Sequence, residues 1–188
     1  MTKMTVNERP VEFDLDPLTP LLFALREAAN LTGTKSCGSG ADCTGAACTV
    51  IIDGTALRSC RVSLAEAEGR YITTIEGLSR DRSHPVQQAM VAQQAIQCGF
   101  CTPGIVMAAA ALIQRNPAPS REEIEAAVPN LCRCGVYPRL VRAIEQAGRA
   151  ARRQEAISAA PAPGISAQDA AVAVPALRAP AGKPAEGQ

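Results

Sequence analysis

The sequence predicts an α+β chain whose strands and helices are segregated along its length. Three observations predict it. β-branched apolar runs with tight-turn signals are confined to residues 1–78, as in Thr49–Ile52 followed by Asp53-Gly54. Beyond that point prolines stand at plausible helix starts, at Pro85, Pro103 and Pro138. The eight cysteines divide between the two halves, Cys37, Cys43, Cys48 and Cys60 in the first and Cys98, Cys101, Cys132 and Cys134 in the second.

Within residues 1–78, positions 4–14 alternate loosely, Val6, Val11 and Phe13 among polar neighbours, and read as a short strand or hairpin. Thr19-Pro20 opens a helix, threonine as its cap and proline at its first position. Leu21, Leu22, Leu25 and Ala28 form its apolar stripe, and Gly33 ends it. A Gly- and Cys-rich loop, Ser36–Cys48, follows. Thr49–Ile52 is a buried-type strand, Ala56–Cys60 its return strand, and Tyr71–Ile75 a further strand. In residues 79–157 helices are expected near 85–96, 103–115, 121–128 and 138–153, with Ser120 and Glu123 as a capping box. Four helices with short joins make a bundle. Residues 158–188 are rich in Ala, Pro and Gly, the composition of a linker or tail, read as a disordered extension or a strap on a partner.

Composition narrows the function. Hydrophobic content is 47%, much of it alanine, with no tryptophan and only two Tyr and three Phe. Halves with so little area to bury gain from a metal cross-link, because metal binding adds to folding free energy. A net charge of +1 without a basic stripe gives no electrostatic footprint for nucleic acid. No apolar run is long enough to span a membrane, and the N-terminus has no apolar core of a secretory signal. A cytoplasmic chain is expected, with periplasmic export alongside a signal-bearing partner as the alternative. In the cytosol thiols stay reduced, which disfavours disulfides. His84, the only histidine, precedes Pro85 and reads as a capping or solvated residue. Gly38-x-Gly40 lacks the strand–turn–helix setting of a dinucleotide fingerprint.

The cysteines carry the chemistry. The first set has the spacing C-x5-C-x4-C, with Cys60 after eleven more residues, in a loop carrying Gly38, Gly40 and Gly45. Four thiolates in a loop whose backbone can turn N–H groups toward sulfur suit a [2Fe–2S] cluster, and the absence of a C-x2-C pair disfavours zinc. The plant-type pattern is C-x4-C-x2-C, so this loop is three residues longer. The second set, C-x2-C and then C-x-C, suits zinc as well as a two-iron cluster. Cys101 precedes Pro103 and Cys134 precedes Pro138, which puts this set near two expected helix N-termini, where anions are favoured.

Thr32–Lys35, the Cys-rich loop, Cys48–Gly54 and Ser59-Cys60 resemble the N-terminal half of molybdenum hydroxylase iron–sulfur subunits, the xanthine oxidase family. Gln97–Gly104 and Asn130–Gly135 resemble that family's second-cluster signatures. The match runs over residues 4–148 and is similar to small subunits of the isoquinoline 1-oxidoreductase and bacterial aldehyde dehydrogenase type. It implies a plant-ferredoxin-like β-grasp domain with one [2Fe–2S] cluster on Cys37, Cys43, Cys48 and Cys60. It implies next a four-helix domain with a second cluster, nearer the molybdenum, on Cys98, Cys101, Cys132 and Cys134. Gln97 matches the glutamine that contacts the pterin; read alone it is a surface amide of a Gln-rich helix. The longer first loop departs from the family pattern and puts its hydrogen bonds to sulfur in question.

The resemblance thus implies a subunit for electron transfer. A large partner would carry molybdopterin, in its cytosine dinucleotide form, and act on an N-heterocycle or aldehyde. Electrons would leave through this chain to a cytochrome c, a flavin subunit or a quinone. The rival readings are a free-standing two-cluster carrier and a two-zinc structural or interaction protein.

Overall fold

The computed structural model describes residues 1–38 and 43–158. The centre of the Cys-rich loop, and the expected tail beyond Ser158, lie outside the described residues.

The first half is a five-stranded mixed sheet. β1 (Thr2–Val6) and β2 (Arg9–Phe13) form an antiparallel hairpin whose turn residues, Asn7 (φ 49°) and Glu8 (φ 66°), both adopt the left-handed conformation that such two-residue turns need. β3 (Thr49–Ile52) and β4 (Thr55–Arg58) make a second antiparallel hairpin around Asp53-Gly54. β5 (Tyr71–Thr73) joins the two, parallel to β1 and antiparallel to β3, in the order β2-β1-β5-β3-β4. A short helix, α1 (Leu21–Phe23), runs straight into a π-helical turn, Ala24–Ala28. Leu21, Ala24 and Leu25 are buried against Met4, Val6, Val50, Ile52 and Ile72 of the sheet.

The structure moves several boundaries of this half. Pro20 is the cap residue preceding the first helix, not its first helical position, and Thr19 supplies no side-chain cap. The helical segment ends at Ala28, followed by Asn30 in the left-handed region (φ 54°), so Gly33 does not end it. Gly33 instead meets Glu76, whose Oε1 accepts its N–H at 2.7 Å. β4 stops at Arg58, and Ser59–Arg61 is a 3-10 turn that carries Cys60. β5 stops at Thr73. Between these strands lies a helix that the sequence reading missed, α2 (Leu64–Ala67), although Ser63 and Glu66 form a full capping box.

The second half contains α3 (Pro85–Ala92), α4 (Thr102–Arg115), α5 (Arg121–Ala127) and α6 (Tyr137–Ala151). Every residue from Gly104 to Ile113 of α4 is buried. A helix that is apolar all round must be covered all round. On one side Ile105, Val106, Ala109 and Leu112 pack with Val86, Met90, Ile124 and Ile144 of the other three helices. On the other, Met107, Ala110 and Ala111 pack on Ile51 of β3. This explains why all four residues of β3 are buried: Val50 and Ile52 face the α1 side, while Ile51 faces α4. α3 ends earlier than expected, at Ala92: Gln94 turns left-handed (φ 49°), and the Ala95 N–H closes on the Met90 carbonyl at 2.9 Å.

Candidate metal centres

The β3–β4 hairpin brings together the last two cysteines of the first set. Cys48 immediately precedes β3 and Cys60 follows β4. Ser59 donates its N–H and its Oγ to the Cys48 carbonyl at 3.1 and 2.8 Å, and the Cys48 and Cys60 sulfurs lie 3.4 Å apart. The loop supplies the others: Cys37 Sγ is 3.1 Å from Cys43 Sγ, which is 3.4 Å from Cys48 Sγ. Cys43 and Cys48 are fully buried, with Leu22 packed against them. Two groups hold the loop in shape. The Ala47 N–H donates to Cys37 Sγ at 3.2 Å, and Arg58 Nη1 donates to the Cys43 carbonyl at 2.7 Å.

Burial and crowding favour the neutral thiol at Cys43, Cys48 and Cys60. Desolvation pushes Cys43 up to about 11, reinforced by its bonds to Cys37 and Cys48. Desolvation also pushes Cys48 to about 11, and Cys60 shifts upward for the same reason. A cation placed among the sulfurs would reverse that tendency by favouring thiolate.

The second set lies on two connections. Cys98 and Cys101 stand between α3 and α4, and Cys132 and Cys134 between α5 and α6. Cys101 is the residue that starts α4, and Cys134 lies just ahead of Val136, which starts α6, so both segments approach helix N-termini. Gly99 (φ 81°) allows the chain to reverse between Cys98 and Cys101. Cys134 Sγ lies 3.6 Å from Cys98 Sγ, and Cys132 stands beside Cys101. Cys101 and Cys132 are buried, whereas Cys98 is exposed. Burial, with Cys132 beside it, pushes Cys101 up to about 12. Tyr137 organises this loop: its hydroxyl accepts the Cys132 N–H at 2.8 Å and donates to the Asn130 carbonyl at 2.9 Å.

Gln97 is exposed beside Cys98, in the segment beyond the end of α3, and so is not a helix-surface amide. His84 caps α3, its Nδ1 accepting the Val86 N–H at 3.2 Å, and burial lowers its pKa.

The two sets are joined through backbone and side chain. Leu131 N–H donates to the Gly45 carbonyl at 3.1 Å, and Asn130 Nδ2 donates to the Ala46 carbonyl at 2.7 Å. α4 closes on the same loop. A Cβ on Gly104 would lie 2.5 Å from the Ala46 oxygen and 2.9 Å from Ala47 Cα, so only glycine fits. The roles of Arg58 and Gly104 escaped the sequence reading because their partners are distant in the chain, and those of Ala47 and Tyr137 because a backbone N–H and a lone hydroxyl leave no motif. Gly104 had a legible signal, glycine directly after the Thr-Pro that opens a helix.

Sulfur donors of this kind select zinc or iron–sulfur centres over magnesium or calcium. The N–H aimed at Cys37 Sγ fits a [2Fe–2S] core, whose sulfurs accept such bonds.

Known proteins share this sequence and this geometry. Residues 74–145 match the model of a [2Fe-2S] binding domain. The chain is 50% identical over 153 residues to one subunit of the nicotinate dehydrogenase of Pseudomonas putida, a match spanning 80% of this chain and 96% of that one. It is 45% identical over 154 residues to the alpha subunit of the isoquinoline 1-oxidoreductase of Brevundimonas diminuta, spanning 80% and 99%. Among solved structures, the aldehyde oxidoreductase of Desulfovibrio desulfuricans superposes with a TM-score of 0.77 at 37% identity, over 83% of this chain and 18% of that much longer one.

Proposed function

Because this chain belongs to the small iron–sulfur subunits of the molybdenum hydroxylases, we propose that Cys37, Cys43, Cys48 and Cys60 hold one [2Fe–2S] cluster and Cys98, Cys101, Cys132 and Cys134 another. The chain is the electron-transfer subunit of a molybdenum oxidoreductase, and the molybdenum chemistry resides on a large partner. When bound, each cluster takes up and releases a single electron. Residues 1–78 then form a plant-ferredoxin-like β-grasp domain and residues 79–157 a four-helix domain; the sheet order and the three helices packed around α4 support this reading.

One observation carries the direction of transfer. Three cysteines of the first set are buried and Cys37 is half-buried, while the second set reaches the surface at Cys98, with exposed Ile96 and Phe100 on the same segment and exposed Leu131 beside Cys132. An open, apolar-edged site needs a partner to exclude water, and burial of these side chains in a subunit contact would supply that. The second set therefore faces the molybdenum subunit, with exposed Gln97 positioned to hydrogen-bond the pterin, in its cytosine dinucleotide form. Electrons then cross to the first set and leave to a cytochrome c, a flavin subunit or a quinone. The substrate is an N-heterocycle or an aldehyde, as for the nicotinate, isoquinoline and aldehyde enzymes named above. The described residues contain no helix long and apolar enough to cross a membrane. We place the complex in the cytoplasm, where the clusters are assembled.

This chain's own residues do the remaining work. Ala47 and Arg58 fix the first loop, Tyr137 fixes the second, and the protein around Cys43 and Cys48 keeps water from the first site. Purification from the native source tests the reading. About four iron atoms per chain and a co-purifying molybdopterin chain are expected. A brown monomer without molybdenum would reassign the chain as a free carrier, and a colourless zinc protein would overturn the iron assignment.

A further inference from the structure

We infer that Asn130 is the positioning residue that couples the two thiol sets, and that its bond to the Ala46 carbonyl controls how fast an electron crosses between them; this rests on the two-cluster reading above. Asn130 is 1% exposed and lies two positions before Cys132. Its Nδ2 reaches a carbonyl in the stretch between Cys43 and Cys48.

That carbonyl is held unusually firmly. Ala46 adopts a left-handed backbone (φ 52°), unfavourable for a residue with a Cβ. Its oxygen accepts from Thr49 Oγ1 at 2.7 Å, from Thr49 N–H at 3.2 Å and from Asn130 at 2.7 Å. Strained backbone persists where its surroundings over-determine it, and such places gather at functional sites. The other half of the Asn130 amide points the same way. Its Oδ1 is buried without a hydrogen-bond partner. An orphan acceptor costs stability and so calls for a reason beyond packing. The reason is the donor at the opposite end of the amide, which no apolar residue could supply. With the Leu131–Gly45 bond it makes a two-rung bridge between the loops. Tyr137 braces the far side of that bridge at Cys132.

The crossing moves one electron from the second set's iron to the first set's; no proton moves and no bond changes at Asn130. The residue fixes the distance and supplies a bonded contact.

The test uses the complete, iron-loaded complex with three variants. Asn130→Leu removes the donor, Asn130→Asp keeps the shape but replaces the donor by an acceptor, and Thr49→Val removes a bond to the same carbonyl from within the first half. Iron content, redox titration, the magnetic interaction between the two reduced clusters and the rate of internal electron transfer after rapid reduction are measured. Electron tunnelling falls steeply with distance, and a loosened bridge is expected to slow crossing by about tenfold, equivalent to about 1.4 kcal/mol. Both Asn130 variants should keep full iron, weaken the magnetic interaction and slow crossing, whereas Thr49→Val, which leaves the bond between the two loops in place, should change both less. Unchanged crossing in the Asn130 variants overturns the inference. So does an equal effect from Thr49→Val, or loss of iron from both Asn130 variants, each of which assigns Asn130 to loop folding. A wild-type complex without two iron clusters sinks the function itself.

Discussion

The two thiol sets solve one problem, holding four sulfurs at a point, with opposite architectures. The first is mostly buried: a hairpin clamps Cys48 to Cys60, and the Cys37 and Cys43 sulfurs lie beside them. The second is assembled from two helix connections far apart in sequence and stays open at Cys98. The difference teaches that this chain covers most of the first site itself, with Leu22 packed on its thiols, while the second leaves Cys98 open for a partner to cover.

The sharpest way to break that comparison is to remove one sulfur from each set. Cys48→Ser should halve the iron, from about four to about two atoms per chain, leaving the second set loaded. Cys98→Ser should halve it in the other sense and also weaken capture of the large partner. Metal analysis and the two separate paramagnetic signals check both, and if either variant loses all its iron, the sites are not independent.

Gly104→Ala strikes where the halves meet. Its Cβ would press on the Ala46 carbonyl and Ala47 Cα, which are backbone and cannot swing away. Overpacking of this kind costs about 1–3 kcal/mol, more than the roughly 1 kcal/mol of helix propensity gained. Denaturant unfolding should show the loss, accompanied by a change where Ala46 and Asn130 join the two loops.

Arg58→Leu acts on the enclosed site alone. It removes a charged donor from the Cys43 carbonyl, a bond of about 1.5–3 kcal/mol. Because Arg58 is only partly buried, the lower end is expected. Faster loss of first-set iron to a chelator, with second-set iron retained, is the readout.

The smallest effect belongs to the helical half. Burial lowers the His84 pKa, and its Nδ1 must be unprotonated to accept the Val86 N–H. A group with a depressed folded pKa gives stability above its unfolded value of about 6.5, and that stability falls away as pH drops through the folded value. Acidification below about pH 6.5 should thus loosen the start of α3 first. His84→Asn, a cap without a titratable ring, should remove that pH dependence in amide exchange along Val86–Met90.

Local chemistry in the sequence reached far but unevenly. Turn dipeptides such as Asp53-Gly54, helix-opening prolines and the Ser120–Glu123 box act over a few residues, so the strands and helices they govern were legible. Ends were less so, because Ala28 and Ala92 terminate helices through left-handed Asn30 and Gln94, residues with no glycine signal. α2 was missed although its capping box is present, because four residues give no periodicity. The thiol sets were legible as groups from spacing, and the second needed its flanking motifs. The bond from Asn130 to Ala46 spans 84 positions, and no local pattern announces it. Nor does composition reveal that α4 serves both halves, whereas the structure makes it the common wall.

That common wall has a consequence in time. The ribosome delivers Cys37, Cys43, Cys48 and Cys60 well before Thr102–Arg115, and early segments fold as they emerge. Until α4 arrives, Gly104 does not lie on the Ala46 carbonyl and Ile51 has nothing to face. The nascent first half therefore lacks the contact that α4 makes with the Ala46–Ala47 backbone until residues 102–115 have emerged.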